Sequence, residues 1–260
     1  MAGISSWARW RIERLFGHVD GAQLLERYRV TSPSERQASA QRAKTDFEKL
    51  FFGHQGRTID KWLHYLPVYD RYLSGFRGKP FTMLEIGVFK GGSLELWRKY
   101  FGEQAKIFGV DIDPQCAQRV DPPNQVRIGS QDDPVFLRSV VAEMGPPDFI
   151  LDDGSHIGRH QRTSFEVLFP LLKTGGLYMI EDLQTAYWHQ TWEGGYRKPG
   201  TAIEHVKSMI DDLHAWYHEK PTTTPARDQI GAIHVHDSIV VLEKVEKSSP
   251  QHMRVGVGNA

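Results

Sequence analysis

The chain has 260 residues, and its 32 lysines and arginines balance 32 aspartates and glutamates, so the formal net charge is zero. This balance argues against a dedicated nucleic-acid binder, which would normally carry a net basic surface. The single cysteine, Cys116, excludes an internal disulfide framework, and no apolar run approaches the roughly 20 residues of a membrane span. We expect a cytoplasmic protein with a large buried core.

The first 55 residues predict a helical extension ahead of the main domain. Residues 4–16 interleave tryptophan and other apolar side chains with arginine, as in a short amphipathic helix. Such a helix packs against the main domain or a second subunit, or else lies in a membrane interface. We favour packing and expect a homodimer formed through these helices. Residues 31–46 are polar and predict a linker that runs into an exposed helix.

Residues 56–250 predict one α/β domain, followed by a tail at 251–260. Residues 58–76 predict a helix with an aromatic stripe, which Pro67 bends or interrupts. Short apolar runs then alternate with helical segments, which is typical of a parallel sheet with right-handed crossovers. The five predicted strands have the sequences FTMLEIGVF, KIFGVDID, VRIGS, DFILDD and GGLYMIED.

Two further strand-like runs, IGAIHVHD and SIVVLEKV, follow each other near the C-terminus with almost no loop between them. Only an antiparallel hairpin can join them, because a parallel crossover needs about a dozen residues. A parallel sheet that ends in such a hairpin resembles the Rossmann-like fold of class I S-adenosylmethionine-dependent methyltransferases. The resemblance implies that the last strand inserts antiparallel and that the fourth and fifth strands are neighbours.

The segment LEIGVFKGGS forms the first turn between a strand and a helix. Gly87 permits a tight turn, and Gly91 and Gly92 permit a ligand to approach the N-terminus of the helix. Phe89 stands where the dinucleotide fingerprint needs glycine, so an NAD-dependent dehydrogenase is a weak alternative. In the methyltransferases that this chain resembles, the motif approaches the amino-acid portion of the cofactor. The residues so implicated are Glu85, Gly87, Gly91 and Ser93.

Asp111 ends the second predicted strand, where a carboxylate accepts hydrogen bonds from the ribose hydroxyls of a bound nucleotide. We therefore expect Asp111 to contact the cofactor, and we expect Asp113 to cap the helical turn that begins at Pro114.

The turn after the third strand stands where methyltransferases of this type bind adenine. The candidate cofactor residues there are Ser130, Gln131 and Asp132. Capping of the following helix by Asp132 or Asp133, ahead of Pro134, is the alternative and is compatible with binding.

Two acidic pairs, Asp152–Asp153 and Glu181–Asp182, follow the fourth and fifth strands. Parallel strands end at the same edge, so the pairs should meet in the crevice where open α/β sheets bind ligands. Crowded carboxylates repel one another unless a cation lies among them, and oxygen ligands without cysteine favour Mg²⁺. Asp153, Glu181 and Asp182 are the predicted metal ligands. Asp152 lies one residue deeper and either contacts the cofactor or holds the turn.

His156 is the candidate general base because it lies three residues beyond Asp153. An imidazole with a pKa of roughly 6.5 suits proton removal near neutral pH. The alternative is a residue at the start of a helix that only packs.

The DDGSH turn, followed by LFPLLKTGGLYMIEDLQTAYW, resembles the metal-dependent sugar O-methyltransferases of macrolide biosynthesis, of the mycinamicin and tylosin type. Relatives of that family are described as cephalosporin hydroxylase-like. The resemblance covers about residues 55–245. It implies that Asp153, Glu181 and Asp182 bind Mg²⁺ and that His156 is the base. Some of those enzymes carry an additional N-terminal domain, so an oligomer built on that domain is not implied for this chain.

Residues 183–200 form a long loop after the second acidic pair, with a Gly194–Gly195 pair as a possible hinge. Aromatic faces stack on sugars, and long loops are usually functional, so we expect a substrate lid. The alternative is a surface loop pinned by its own aromatic residues. The predicted lid residues are Tyr187, Trp188, Trp192 and Tyr196.

Five other aromatic residues carry no predicted function. We expect Tyr65, Tyr69 and Tyr72 to form core and pocket wall, and we assign no role to His234 and His236.

Together these observations predict an Mg²⁺-dependent O-methyltransferase that moves a methyl group from S-adenosylmethionine to a sugar hydroxyl. Macrolide-bound deoxysugar, rhamnose on a glycolipid or polysaccharide, and another vicinal diol all fit the same metal chemistry. One alternative is a metal-dependent hydroxylase or oxygenase, which would normally need two histidines and one carboxylate. Another is a noncatalytic cofactor-binding partner in an assembly.

Overall fold

The computed structural model describes residues 31–224 and 226–256. The amphipathic helix predicted at residues 4–16, and the dimer contact expected through it, lie outside the described residues. Within the described ranges, no helix is both long and apolar enough to cross a membrane.

The strands of the described chain form one seven-stranded sheet with the order β3-β2-β1-β4-β5-β7-β6. The strands are β1 (Phe81–Ile86), β2 (Ala105–Asp111), β3 (Gln125–Ile128), β4 (Phe149–Asp152), β5 (Leu177–Ile180), β6 (Ile230–His236) and β7 (Ile239–Lys244). Strands β1 to β5 pair in parallel, and β7 inserts antiparallel between β5 and β6. This arrangement confirms the predicted sheet, including the adjacent fourth and fifth strands and the terminal hairpin.

Helices cover both faces of the sheet. They are α1 (Pro33–Arg42), α2 (Asp46–Gly53), α3 (Leu66–Leu73), α4 (Gly92–Phe101), α5 (Pro134–Met144), α6 (Gly158–Leu168), α7 (Ala202–Leu213) and α8 (Ala226–Gln229). Short 3₁₀ turns occupy Leu63–Tyr65, Ser74–Phe76, Pro114–Gln118, Phe169–Leu171, Leu183–Tyr187, Gln190–Trp192 and Ala215–Tyr217. Helix α1 has no buried residue, which confirms the exposed helix expected within residues 31–46.

The helix predicted at residues 58–76 is shorter than expected and is interrupted near Pro67, and interruption is one of the two outcomes expected there. Leu63–Tyr65 form a 3₁₀ turn, and α3 begins at Leu66 with Pro67 in its first turn. Proline has no N–H to donate, and the first turn of a helix is where that donor is not needed. Pro67 therefore starts this helix, and residues 54–62 ahead of it are irregular.

Alternating side chains of the sheet contribute to two hydrophobic clusters, one on each face. One cluster contains Ile150 of β4 and Phe165 of α6, and we call its side the α6 face. The other contains Leu151 of β4 and Trp97 of α4, and we call its side the α4 face. Phe47 of α2 packs into this second cluster, with its ring centroid 4.8 Å from that of Trp97. Since the period of two continues past the end of β4, Asp152 and Asp153 point to opposite faces.

Candidate active site

The two acidic pairs lie side by side at the carboxyl edge of the sheet, as the sequence predicts. The backbone N–H of Asp153 donates to the carbonyl of Ile86 at 2.9 Å, and that of Glu181 donates to the carbonyl of Asp152 at 3.0 Å. These bonds extend the parallel register of β1, β4 and β5 by one residue. The acids therefore stand on adjacent strand ends.

Asp152 lies on the α6 face and is fully buried. Its carboxylate accepts hydrogen bonds from the hydroxyl of Ser164, the side-chain amide of Gln131 at 3.1 Å and the hydroxyl of Tyr178 at 3.3 Å. Burial raises the pKa of Asp152, and the bonds from Ser164 and Gln131 oppose that rise. Gln131 Oε1 also accepts from the backbone N–H of Ser155 at 2.6 Å. Both side chains thus hold the DDGSH turn, which is one of the two roles expected of Asp152. The cofactor contacts of Asp152 and Gln131 stay predictions.

Asp153, His156 and Asp182 converge on the other side of the turn. Each offers a ligand atom, and the three atoms lie within 4.8 Å of one another. Nε2 of His156 is 3.5 Å from Oδ2 of Asp182. His156 and Asp182 have φ angles of 57° and 56°, a left-handed conformation that side-chain-bearing residues rarely adopt and that often marks functional sites. Two carboxylates and an imidazole suit a divalent cation.

Glu181, the third predicted metal ligand, lies deeper, with 1% of its side chain exposed. Oε1 accepts from the hydroxyl of Tyr69, and Oε2 accepts from Nζ of Lys61 at 2.7 Å. The same ammonium donates to Oδ2 of Asp153. Burial raises the pKa of Glu181 to about 8, and the charge of Lys61 opposes that rise. Burial alone would lower the pKa of Lys61, but Asp153 and Glu181 hold it well above its usual range.

Lys61, Tyr65 and Tyr69 contact the acidic residues, and the sequence alone did not predict these contacts. Tyr65 and Tyr69 are fully buried, as expected of core residues, but their hydroxyls donate hydrogen bonds to the acidic residues. The Tyr65 hydroxyl donates to Oδ1 of Asp182 at 2.8 Å, as that of Tyr69 does to Glu181. The signal that could have revealed the two tyrosines is their spacing of four residues, which places both hydroxyls on one side of a helical segment. Lys61 lies in the irregular segment ahead of it and carries no such signal.

Glu85 is buried on the α4 face and is held by the helix that follows it. The hydroxyl of Ser93 donates to Oε2 at 3.0 Å, and the indole of Trp97 donates to Oε1 at 3.3 Å. Burial raises the pKa of Glu85 to about 7, and the nearby charge of Lys61 opposes the rise. The structure thus joins two of the predicted cofactor residues, Glu85 and Ser93.

The glycines of the first motif accommodate close approaches of the chain itself. Gly87 has a φ of 94°, and a Cβ there would lie 2.0 Å from the carbonyl oxygen of Asp153. A Cβ at Gly92 would lie 2.3 Å from the carbonyl oxygen of Arg57. Gly91, the N-cap of α4, also has a positive φ, 82°. The sequence predicted ligand approach at positions 91 and 92, whereas the described neighbour of Gly92 is the segment ahead of α3.

Asp111 braces the same motif. Its carboxylate accepts from the backbone N–H groups of Val88 at 2.8 Å, Phe89 at 3.0 Å and Asp113 at 2.9 Å. Although burial acts in the opposite direction, these donors hold the pKa of Asp111 below its usual range. Asp113 caps the turn Pro114–Gln118, as predicted. The ribose contact of Asp111 stays a prediction.

In the turn after β3, the residue that caps the next helix differs from the residues predicted to contact the cofactor. Asp133 caps α5, with Oδ1 accepting from two backbone N–H groups at 2.9 and 3.2 Å. Asp132 instead accepts from the hydroxyl of Ser130 at 2.5 Å and lies 3.1 Å from Nε2 of His160. Ser130 and Asp132 are therefore not used as caps and stay predicted cofactor contacts.

The predicted lid is more ordered than expected, because it contains two 3₁₀ turns. Trp188 is 4% exposed and packs edge-on against Trp192, with centroids 5.1 Å apart. The backbone N–H of Gly194 donates to the carbonyl of Trp188 at 2.6 Å, and that of Gly195 donates to the carbonyl of Ala186 at 2.9 Å. The glycine pair thus ties the segment back on itself, and Trp188 anchors it.

Tyr187, Trp192 and Tyr196 keep some exposure in this segment, and the rings of Tyr187 and Tyr196 stack with their centroids 6.5 Å apart. Tyr196 is 57% exposed. A cavity of about 200 Å³ lies beside Trp192, between this segment and the N-terminus of α6.

Comparison with known proteins assigns the fold to a family. A family model described as "Methyltransferase domain" matches residues 84–183, which include the first glycine motif and both acidic pairs. The 8-demethyl-8-(2-methoxy-alpha-L-rhamnosyl)-tetracenomycin-C 3'-O-methyltransferase of Streptomyces olivaceus is 38% identical over 222 residues, covering 78% of this chain and 55% of the relative. The chain belongs to the class I S-adenosylmethionine-dependent methyltransferases. This confirms the predicted family.

Two further comparisons match named methyltransferases. The L-olivosyl-oleandolide 3-O-methyltransferase of Streptomyces antibioticus is 42% identical over 186 residues, covering 66% of this chain and 47% of the relative. The solved structure of the MycE methyltransferase from the mycinamycin biosynthetic pathway, in complex with Mg, SAH and mycinamycin VI, matches with a TM-score of 0.64 and 35% identity. That match covers 72% of this chain and 50% of the MycE chain. The chain spans about half the length of the curated relatives it matches.

Proposed function

We propose that this methyltransferase moves the methyl group of S-adenosylmethionine to a sugar hydroxyl of a glycosylated small molecule, and that it uses Mg²⁺. The observation that carries the proposal is the convergence of Asp153, His156 and Asp182 within 4.8 Å at the ligand-binding edge of the sheet. The names of the matched relatives describe sugar O-methyltransferases, and the MycE complex contains Mg and SAH. The same names lend no support to the hydroxylase alternative.

Asp153 and Asp182 would hold the metal, with Glu181 behind them as the third carboxylate. A bound metal lowers the pKa of a hydroxyl that coordinates it, which makes an alcohol a better nucleophile. The proposed cofactor contacts are Glu85, Gly87, Gly91, Ser93, Asp111, Ser130, Gln131, Asp132 and Asp152.

His156 would take the proton of the sugar hydroxyl at Nε2, the nitrogen that faces Asp182. The sugar oxygen forms its bond to the methyl carbon as the carbon–sulfur bond breaks, and the sulfonium becomes a neutral thioether. Asp182, 3.5 Å from Nε2, would stabilise the imidazolium that forms. The hydroxyl of Thr185 donates to the backbone carbonyl of His156 at 3.1 Å and fixes the base relative to the second acidic pair.

The acceptor would lie against the segment 183–200. Tyr187, Trp192 and Tyr196 offer aromatic faces suited to the C–H face of a sugar. The cavity beside Trp192 is also lined by Gly158 and Arg159, at the start of α6. Trp188 would support these residues from within rather than touch the acceptor.

Titration calorimetry of S-adenosylmethionine and then of Mg²⁺ tests the proposal on the wild type and Asp153→Ala. Asp211→Ala, which changes an exposed aspartate on α7, is the matched control. We expect all three proteins to bind the cofactor and only Asp153→Ala to lose Mg²⁺ binding. The wild type should then methylate rhamnosyl or deoxysugar glycosides in a mass-spectrometric screen. A wild type without cofactor binding would overturn the proposal.

His156→Ala separates a base from a metal ligand. If His156 is the base, the variant keeps its cofactor and Mg²⁺ affinities and loses most of its turnover, by a factor of about 10² to 10⁴. Loss of Mg²⁺ affinity would instead make His156 a ligand. Turnover near that of the wild type would remove both roles.

A further inference from the structure

Lys61 places a buried ammonium between two of the acids proposed to hold the metal. Its side chain is 5% exposed, and Nζ bonds to Oδ2 of Asp153 and to Oε2 of Glu181. The proposed reaction gives this lysine no task. A buried cation with two carboxylate partners nevertheless requires an explanation, because its removal would leave those charges uncompensated.

The backbone that leads to Lys61 is anchored away from the acids. Nε2 of His54 lies 2.9 Å from the carbonyl oxygen of Arg57, and the N–H of Arg57 donates to Oε2 of Glu95 at 3.1 Å. The carbonyl of Arg57 also packs on Gly92 at the start of α4. The long side chain of Lys61 extends from this anchored segment, and its rotatable bonds allow the ammonium to move without the backbone.

The oxygens that bind Lys61 belong to residues that the metal would also need. Each oxygen of Glu181 already accepts a hydrogen bond, Oε1 from Tyr69 and Oε2 from the charged Nζ of Lys61. Two cations that share the same carboxylates in a buried site repel each other strongly. The ammonium and a divalent ion bound by both Asp153 and Glu181 are therefore alternative occupants.

We propose that Lys61 is the resident counter-cation of the metal site, which holds Asp153 and Glu181 together until Mg²⁺ displaces it. The inference rests on the proposed use of Mg²⁺ and extends it to the order of events at the acids. Lys61 keeps the carboxylates paired and preformed, and metal entry releases its ammonium toward solvent.

Amine-reactive labelling of the wild-type protein tests the exchange without any measurement of turnover. The protein is treated with a succinimidyl acetate ester, with MgCl₂ or with NaCl at equal ionic strength, and each lysine is followed by peptide mass spectrometry. Lys244 is the matched buried control, since it is 6% exposed and bonds to the carbonyl of Phe169 at 3.2 Å. Lys49, with a side chain 59% exposed, reports the reactivity of an open lysine.

We expect Mg²⁺ to raise the labelling rate of Lys61 at least about tenfold, because the ligand shifts the population to the released state. Lys244 and Lys49 should keep their rates. Calorimetry on the same sample separates the two possible failures. If Mg²⁺ binds and Lys61 stays protected, the exchange is wrong and the metal site stands. If Mg²⁺ does not bind, the proposed metal dependence and the exchange are both wrong.

Discussion

The hydroxyl of Tyr69 donates to Oε1 of Glu181, and the change Tyr69→Phe removes that donor alone. The ring itself would stay, packed edge-on against Phe47 and Trp97 with centroids 5.0 and 5.3 Å away. The variant therefore isolates one hydrogen bond to a carboxylate that is almost fully buried.

The expected loss follows from the burial and charge of Glu181. A hydrogen bond to a charged group contributes about 1.5–3 kcal/mol, and Glu181 is 1% exposed, so water cannot replace the donor. We expect the free energy of unfolding to fall by about 2 kcal/mol. Side chains that orient metal ligands also typically change metal affinity 10- to 100-fold, so the dissociation constant for Mg²⁺ should rise by about that factor.

Guanidinium unfolding and Mg²⁺ calorimetry measure the two effects. Both should be done at about pH 8.5, because Glu181, with its pKa raised to about 8, is then mostly charged. Tyr72→Phe is the matched control on the same helix, since its hydroxyl lies 3.0 Å from Nε2 of His236 instead. That control should lose no more than about 1 kcal/mol and should keep its Mg²⁺ affinity. Equal Mg²⁺ affinities in the two variants would refute the reasoning that Tyr69 positions Glu181.

Two further predictions test pH dependence and close packing. Burial lowers the pKa of His205 in the folded protein to about 4, whereas in the unfolded chain it is about 6.5. As the pH falls below about 6.5, the unfolded chain therefore binds a proton that the folded protein does not. By about pH 4 this difference lowers the free energy of unfolding by at most about 3 kcal/mol. His205→Phe, which keeps a ring against Phe165, should lose less stability over that range, and guanidinium midpoints at both ends will show whether it does. Gly87→Ala would place a Cβ 2.0 Å from the carbonyl oxygen of Asp153, so thermal melts and Mg²⁺ calorimetry should show lost stability and weaker metal binding. Gly78→Ala is the control, because Gly78 also has a positive φ but has open space around it. If Gly78→Ala lost as much stability as Gly87→Ala, backbone strain alone would explain the loss in both variants.

The sheet and the meeting of the two acidic pairs could be predicted because each depends on local pattern. Apolar runs that end in acid mark strand ends, and parallel strands bring those ends to one edge. The opposite roles of Asp152 and Asp153 also follow from the alternation of side chains along a strand. From the sequence alone, Asp152 either contacts the cofactor or holds the turn, and in the structure it bonds with Ser164, Gln131 and Tyr178.

Which aromatic residues of the lid are buried was harder to predict, because the sequence of a loop does not show which of its side chains face the core. Trp188 and Tyr196 are both aromatic residues of the predicted lid, yet Trp188 is buried and Tyr196 is exposed. The difference arises from where the two 3₁₀ turns place each ring, and the backbone bonds of Gly194 and Gly195 fix that placement.

The sequence by itself determined the methyltransferase sheet, its terminal hairpin, the acids at its edge and the histidine beside them. Short segments of the sequence determine these features, because hydrophobic periodicity and turn residues act locally. Only the tertiary structure brought Lys61 to Asp153 and Glu181, across 92 and 120 residues, and Tyr69 to Glu181, across 112. Such contacts depend on how the segment ahead of the sheet packs on the α4 face, and residue spacing alone does not encode that packing.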